Sequence, residues 1–365
     1  MTKLEQLIQD LCPNGVKMVK LGDVANISIG EFVHKNKQTP DGKYPVYNGG
    51  TSNTGFYSEY NQTANKIIIS ARGANAGFVN KIDVPYWAGN SCYTIDVTDS
   101  NVNWFYVYYC LKSIETKILG KQQLGSIPAV SKKQVQELQI PLPPLAVQSE
   151  IVRILDKFTL YKSELAAELA ARCKQYEHYR NQLLTFDDTV KRVKLGEVAE
   201  LKAGSFVSRT ELKDCSTNGF PCYGGNGIRG YVNHYSHEGS FSIIGRQGAL
   251  CGCVHYATGK FYATEHAVVV KTKESVLSKY LYYVLVHANL NQYKSQGAQP
   301  GLAVSNLNQL VFSIPSLEVQ ERIVSILDRF DTLCHDIREG LPAEIDLRQK
   351  QYEHYRDRLL SFERE

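Results

Sequence analysis

The stretch "KQYEHYR" stands at residues 174–180 and again at 350–356. A given seven-residue match arises by chance in roughly one case in a billion, so an internal repeat is the first reading. The match lengthens in both directions. "KQYEHYRNQLLTF" (174–186) answers "KQYEHYRDRLLSF" (350–362), "VQSEIVRILDKF" (147–158) answers "VQERIVSILDRF" (319–330), and "VKLGDVANISIGEFV" (19–33) answers "VKLGEVAELKAGSFV" (193–207). Between these anchors the likeness loosens: "YPVYNGG" (44–50) stands against "FPCYGGN" (220–226), "FYVYYCL" (105–111) against "KYLYYVL" (279–285), and "PAVSKKQVQELQIPLPPL" (128–145) against "LAVSNLNQLVFSIPSL" (302–317). Each half therefore runs from a variable block into a closely repeated helical segment. Two copies that keep their helices while their blocks diverge suit helices that meet one kind of partner and blocks that meet two different ones.

The helical segments carry apolar residues at three- and four-residue steps, the pattern of a coiled coil. In the first these are Ile151, Leu155, Phe158, Leu165, Leu169, Tyr176, Tyr179 and Leu183, interrupted by Lys162 and Arg172. In the second they are Ile323, Leu327, Phe330, Cys334, Ile337 and Leu341, and the second heptad continues them with Tyr352 and Tyr355. Four extra residues precede that second heptad. An insertion of this size unwinds a supercoil, and Gly340 and Pro342 sit there, so a break or kink is expected near Leu341. A helix over 145–184 would be about 60 Å long. Two such helices are expected to pair antiparallel and hold the blocks apart; a helix that only capped its own domain would show a wider apolar stripe.

Within the blocks, short β-rich runs alternate with Gly, Asn and Ser turns. "NKIIISARG" (65–73), "GSFSIIGRQG" (239–248), "SCYTIDV" (91–97) and "HAVVVK" (266–271) predict strands, and "VNWFYVYYCLKS" (102–113) predicts a helix with its aromatics on one face. Arg72 and Arg246 are expected to end corresponding strands. The loops "YNGGTSNTGFY" (47–57) and "YGGNGIRGYV" (223–232), and the matched pair "GKQQLGSIPAVS" (120–131) and "SQGAQPGLAVS" (295–305), hold polar side chains among glycines. Asn and Gln can bond two edges of adenine, Arg can do the same with guanine, and backbone amides of Gly-rich turns suit phosphate. The expected fold class is α+β (mixed α/β): two pseudo-repeated globular domains, 1–145 and 187–316, separated by two long helices, 146–186 and 317–365, forming an antiparallel coiled coil.

With 365 residues, 43% of them hydrophobic, the chain can build two cores. A net charge of +4 permits an anionic partner without demanding one, and the 23 tyrosines suit contact surfaces as well as cores. The nine cysteines are scattered, with no CxxC and no Cys/His set at zinc spacing, so no metal site is expected and the thiols read as reduced, in a cytoplasmic protein. "MTKLEQLIQDLCPNGVK" reads as a short amphipathic helix stopped by Pro13-Asn14-Gly15, without the apolar run of a signal peptide. No stretch of about 18 apolar residues predicts a membrane span. Enzyme motifs are missing: "LPPL" (142–145) has leucine where an adenine methyltransferase turn needs a polar residue, "GGTSNTGF" (49–56) lacks the P-loop lysine, and "PDGK" (40–43) lacks the second acidic residue of a nuclease. No catalytic residue is expected in this chain.

The order "VKLGDV", aromatic Gly-rich block, "IPLPPLAVQSEIVRILDKF", "KQYEHYRNQLLTF", stated twice, resembles the specificity (S) subunit of Type I restriction–modification systems. The likeness spans nearly the whole chain; its helical motifs and their doubling are specific, whereas the blocks are not. It implies that the two blocks are target-recognition domains, each reading one half of a split, asymmetric site on double-stranded DNA. It also implies that the helices act as a spacer and dock two methyltransferase subunits, which transfer a methyl group from S-adenosylmethionine to adenine N6. Motor-nuclease subunits would complete the complex; this chain would hold no cofactor. For base contact, the first block offers Asn48, Thr51, Asn53, Tyr57, Arg72 and Gln123, and the second Tyr223, Asn226, Arg229, Arg246, Gln247 and Gln299. The helix residues offered to the coiled coil and its partners are Ile151, Leu155, Phe158, Leu165, Leu169, Tyr176, Ile323, Leu327, Phe330, Ile337, Tyr352 and Tyr355. Two alternatives stay open on sequence: a specificity protein of a Type IIB-like system, and a coiled-coil scaffold that binds protein only.

Overall fold

The computed structural model describes residues 2–120, 128–214, 219–248, 250–295, 300–336 and 338–364. Packing divides the chain into two units, Met1–Leu165 with Ile345–Glu365, and Ala166–Glu344. The division falls inside the helical segments, so each unit combines one variable block with parts of both.

The first unit opens with helix Lys3–Leu11, where Thr2 and Glu5 form a reciprocal cap and Gly15, at φ 95°, turns the chain away. Its main sheet has four antiparallel strands in the order Ala25–Ile29, Cys92–Val97, Lys66–Ser70, Val79–Ile82. A smaller sheet joins Gly55–Tyr57, Tyr44–Tyr47 and Trp87–Ala88. Ile67, Ile69 and Ile95 of the main sheet pack on Tyr106, Tyr109 and Leu111 of helix Trp104–Ser113. That helix was expected to show one aromatic face. Instead none of its residues is exposed, because sheet, long helix and C-terminal segment cover it together.

The second unit repeats the order with one change. The strands of its block join into one six-stranded sheet, apart from the two-stranded pair Arg192–Lys194 and Val311–Ser313, because Val254–Ala263 runs unbroken and pairs antiparallel with His237–Gly245 and parallel with Phe220–Gly224. The equivalent run in the first unit, "VNKIDVPYWA" (79–88), contains Pro85, which has no N–H to give a ladder, and it splits into two strands. In the second unit Lys260 holds the proline's place and pairs with Glu238.

The first long helix, Leu145–Leu184, runs 40 residues without a break. The second segment forms two helices, Leu317–His335 and Leu341–Leu359. The break falls just before Leu341: the Asp336 carboxylate accepts from the backbone N–H of Arg338 and Glu339, and a Cβ on Gly340 would lie 2.3 Å from the Thr332 carbonyl oxygen. Pro342 sits in the first turn of the following helix, where a missing N–H is harmless.

The apolar face changes neighbour along each helix. Ile151 and Leu155, expected on a helix–helix seam and as partner contacts, are fully buried in the first unit's own core, and Ile323 and Leu327 likewise in the second. Spacing reveals an apolar face but not what covers it. Buried glutamines fix these turns: Gln148 Oε1 accepts from the Asn103 N–H and its Nε2 donates to the Asn101 and Pro143 carbonyls, while Gln320 makes the same three bonds to Leu277, Ser275 and Pro315. Tyr109 donates to Asp156 at 2.6 Å, and Tyr283 donates to Asp328.

Farther along, helix meets helix antiparallel inside each unit. Phe158 stacks on Tyr355 (centroids 5.4 Å apart, planes at 25°) in the first, and Phe330 on Tyr179 (5.4 Å, 29°) in the second. Lys162 Nζ donates to Gln349 Oε1 at 2.6 Å, and Tyr176 is buried beside Phe330 and His335. Tyr352 packs on the first core, Leu169 on the second, and Leu165 is half-buried. Ile337 lies outside the described residues. Each unit is thus closed by the other copy's heptad: residues 350–356 close the first and 174–180 the second.

Candidate nucleic-acid interface

Both units carry the same backbone cradle between the two Gly-rich loops. In the first, Gly89 N–H donates to the Tyr47 carbonyl, Ala71 N–H to Ser91, Gly77 N–H to Ser70, Gly73 N–H to Pro128 and Val130 N–H to Ala71. In the second, the same five bonds run from Thr264 to Tyr223, Arg246 to His266, Gly252 to Gly245, Gly248 to Pro300 and Leu302 to Arg246. Gly49 (φ 78°) and Gly225 hold one place: a Cβ there would come within 2.9 Å of the Arg72 and Gln247 carbonyl oxygens respectively.

These bonds fix which residues correspond. Arg72 matches Gln247, and Arg246 matches Ala71, so the expected pairing of Arg72 with Arg246 is off by one position. In a strand a shift of one residue moves a side chain to the opposite face. The other pairs are Gly50 with Asn226, Thr54 with Arg229, Asn75 with Leu250 and Ser91 with His266. One frame therefore presents two unrelated sets of side chains.

In the second unit Asn226, Arg229 and Gln247 are exposed and line one open cavity of about 590 Å³, together with Leu250 and His266. Arg229 lies across Gly224, where a Cβ would meet its Cδ at 2.3 Å. Tyr223 turns inward instead, half-buried and edge-on to Phe261 (5.6 Å, 81°), and burial raises its phenol pKa. Arg246 is half-buried. Among the described residues its Nε has no partner.

In the first unit Thr51 and Arg72 are exposed and Asn53 is half-buried. Asn48 is partly spent on the fold, because its Oδ1 accepts from the Ser91 N–H at 3.0 Å. Tyr57 packs edge-on to Trp87 (5.1 Å, 90°). Gln123 and Gln299 lie outside the described residues. Sequence reading did not single out Leu250 and His266, which line the same cavity; for His266 the signal was the ungapped match of "YWAGNSCYTI" (86–95) to "FYATEHAVVV" (261–270).

A second surface lies on the helices of the first unit. Arg153, Ile154, Lys157, Phe158, Tyr161 and Arg348 line a groove of about 400 Å³, with Arg348 over the Tyr161 ring at 5.4 Å. Its cations surround apolar and aromatic walls, which suits an acidic, apolar protein segment. Among the described residues no cluster of His, Cys, Asp and Glu could hold a metal ion, and no helix is long and apolar enough to cross a membrane.

Comparison with known proteins points the same way. Residues 13–175 and 187–347 match the family described as "Type I restriction modification DNA specificity domain". The chain is 42% identical over 295 residues to the type I restriction enzyme EcoprrI specificity subunit of Escherichia coli, covering 75% of this chain and 73% of that one. It is 30% identical over 388 aligned positions to a type I specificity subunit of Haemophilus influenzae, covering 99% and 98%. Its fold is similar to the crystal structure of a Type I restriction–modification S subunit from M. genitalium, with a TM-score of 0.62 at 20% identity over 95% of this chain and 96% of that one.

Proposed function

The chain belongs to the family of Type I restriction–modification specificity subunits, the non-catalytic DNA target-recognition component of such systems, and from that membership we propose that each unit reads one half of a bipartite, asymmetric DNA site. The observation that carries the reading is the shared cradle: identical backbone bonds with different side chains are what two half-sites of different sequence require. Asn226, Arg229 and Gln247 are the base-edge donors and acceptors of the second unit, and Thr51, Asn53 and Arg72 those of the first. Gln123 and Gln299 stay with this proposal.

The helices dock two methyltransferase subunits and set the gap between the half-sites. Support comes from the Phe158–Tyr355 and Phe330–Tyr179 stacks, which place an equivalent aromatic pair between the helices of each unit. S-adenosylmethionine, adenine-N6 methylation and DNA cleavage belong to the methyltransferase and motor-nuclease partners. The Type IIB-like and protein-only alternatives are not favoured by the family match. The test is to co-purify the chain with the methyltransferase encoded beside it and weigh the complex by native mass spectrometry. Two methyltransferases per chain and salt-sensitive, sequence-specific duplex binding are expected; a complex that binds every duplex equally contradicts the reading.

A further inference from the structure

The antiparallel helices of each unit meet at one further equivalent place. In the first unit Lys162 and Gln349 meet there, Nζ donating to Oε1 at 2.6 Å. "KFTLYK" (157–162) answers "RFDTLC" (329–334), so Cys334 holds the place of Lys162. Cys173 and Gln349 each stand directly before a "KQYEHYR" heptad, so Cys173 holds the place of Gln349. Two thiols therefore face each other across the second unit's helices where the first unit has a side-chain hydrogen bond. Cys334 is buried, and Cys173 is half-buried against the same core. The two side chains are in contact: burial first, and then the Cys173 thiol beside it, push the Cys334 pKa up to about 11. The Phe330–Tyr179 stack and the edge-on contact of Tyr176 with His335 (5.6 Å, 74°) hold the helices in this register on neighbouring turns.

Two thiols in contact on separate helices are one two-electron oxidation from a disulfide. Cys173 is the accessible member, and burial keeps Cys334 in its protonated, less nucleophilic form. With hydrogen peroxide as the oxidant, the Cys173 thiolate attacks one peroxide oxygen, the O–O bond breaks and a first water leaves, giving the sulfenic acid. The Cys334 sulfur then displaces the sulfenic hydroxyl, the S–S bond forms and a second water leaves. Two electrons pass from the two thiols to one peroxide, and both thiol protons end in the two waters. A small dithiol reverses the bond by exchange.

We propose that Cys173 and Cys334 are a reversible redox site, whose disulfide staples the 40-residue helix to helix Leu317–His335 and holds the second unit closed under oxidation. The loop it closes, 173–334, contains the whole second block, and a cross-link over so long a loop restricts the unfolded chain strongly. The first unit, with Lys162 and Gln349 at these places, has no such bond to make. The test exposes the full-length chain to hydrogen peroxide, alkylates the remaining thiols and maps the peptides by mass spectrometry without reduction. A peptide pair joined through Cys173 and Cys334 is expected, and dithiothreitol should release it. Hydrogen exchange of the oxidised chain should slow roughly tenfold at core amides of the second unit and stay unchanged in the first. Cys173→Ser should abolish both the linkage and the added protection. The linkage map is read on the wild-type chain, so it holds even where a substitution at buried Cys334 weakens the fold. The assignment is overturned if both thiols are still alkylated after peroxide, or if Cys173 oxidises without joining Cys334. It is equally overturned if the linkage forms as readily in chain unfolded by guanidinium, or if it forms in the folded chain without slowing exchange in the second unit.

Discussion

At the scale of single residues, the side chains proposed to read bases stand in a different setting from those that hold the fold. Arg229 is exposed, lines the cavity and rests on Gly224. Arg229→Ala is expected to cost about 1–3 kcal/mol of binding to the cognate duplex and to relax the second half-site alone; competition binding with permuted duplexes checks it, and equal relaxation of both halves would contradict it. His255 lies under Gly227, a Cβ there being 3.0 Å from its ring, and burial disfavours its charged form, lowering its pKa. Above about pH 6.5 the ring is neutral both folded and unfolded. As pH falls from there through the lower folded value, the unfolded chain gains the proton first and stability is lost. His255→Asn, which installs the residue type of Asn80, should therefore gain stability relative to wild type at pH 5.5 compared with pH 8 in paired thermal melts. A pH-independent difference would contradict this. The off-by-one match of Arg72 belongs at this scale too. The strands "IIIS" and "SIIG" align only when backbone bonds are known, because arginine in both copies is a tempting but false anchor.

At the scale of elements, each heptad helix closes the unit built around the other copy's block. Tyr352→Ala should destabilise the first unit and spare the second, and Tyr176→Ala should do the reverse, since each ring packs on one core only; hydrogen exchange resolved by unit is the measurement, and equal loss in both units would contradict the exchange. Glu150 joins the N-terminal helix to the long helix. Hydrogen bonds from Arg153 (2.6 and 2.9 Å) and then Lys3 (3.2 Å) hold its carboxyl at about 2. A lowered carboxyl contributes stability above its unfolded value of about 4.3 and loses it as pH falls toward the folded one. The advantage of wild type over Glu150→Gln should be present at pH 7 and vanish between about pH 4.3 and 2 in denaturant titrations. The duplication, the 40-residue helix and the break before Leu341 were legible from spacing, Gly and Pro. The inward burial of Ile151, Leu155, Ile323 and Leu327 was not, because an apolar stripe is equally compatible with a partner helix or a sheet. Nor was the absence of any exposed residue on helix Trp104–Ser113, which depends on a C-terminal segment far away in sequence.

At the scale of the whole molecule, a net charge of +4 supplies little counterion release, so tight DNA binding needs partners. The isolated chain should bind duplexes weakly, and adding the methyltransferase should both tighten binding and steepen its salt dependence; a salt slope unchanged by the partner would contradict this division of labour. On the proposed reading the duplicated frame lets one chain serve an asymmetric site, because Gly50, Thr54, Arg72, Asn75 and Ser91 occupy the places that Asn226, Arg229, Gln247, Leu250 and His266 hold in the second unit. That pairing was only partly legible in sequence, since loops tolerate insertions that blur the register between copies. The most direct measurement is a methylome. The chain and its neighbouring methyltransferase are expressed in a host lacking adenine methylation, and N6-methyladenine is mapped by single-molecule sequencing. The account predicts a split motif with two different halves that disappears when this chain is omitted. A continuous motif, a motif with two identical halves, or methylation that persists without the chain would contradict it.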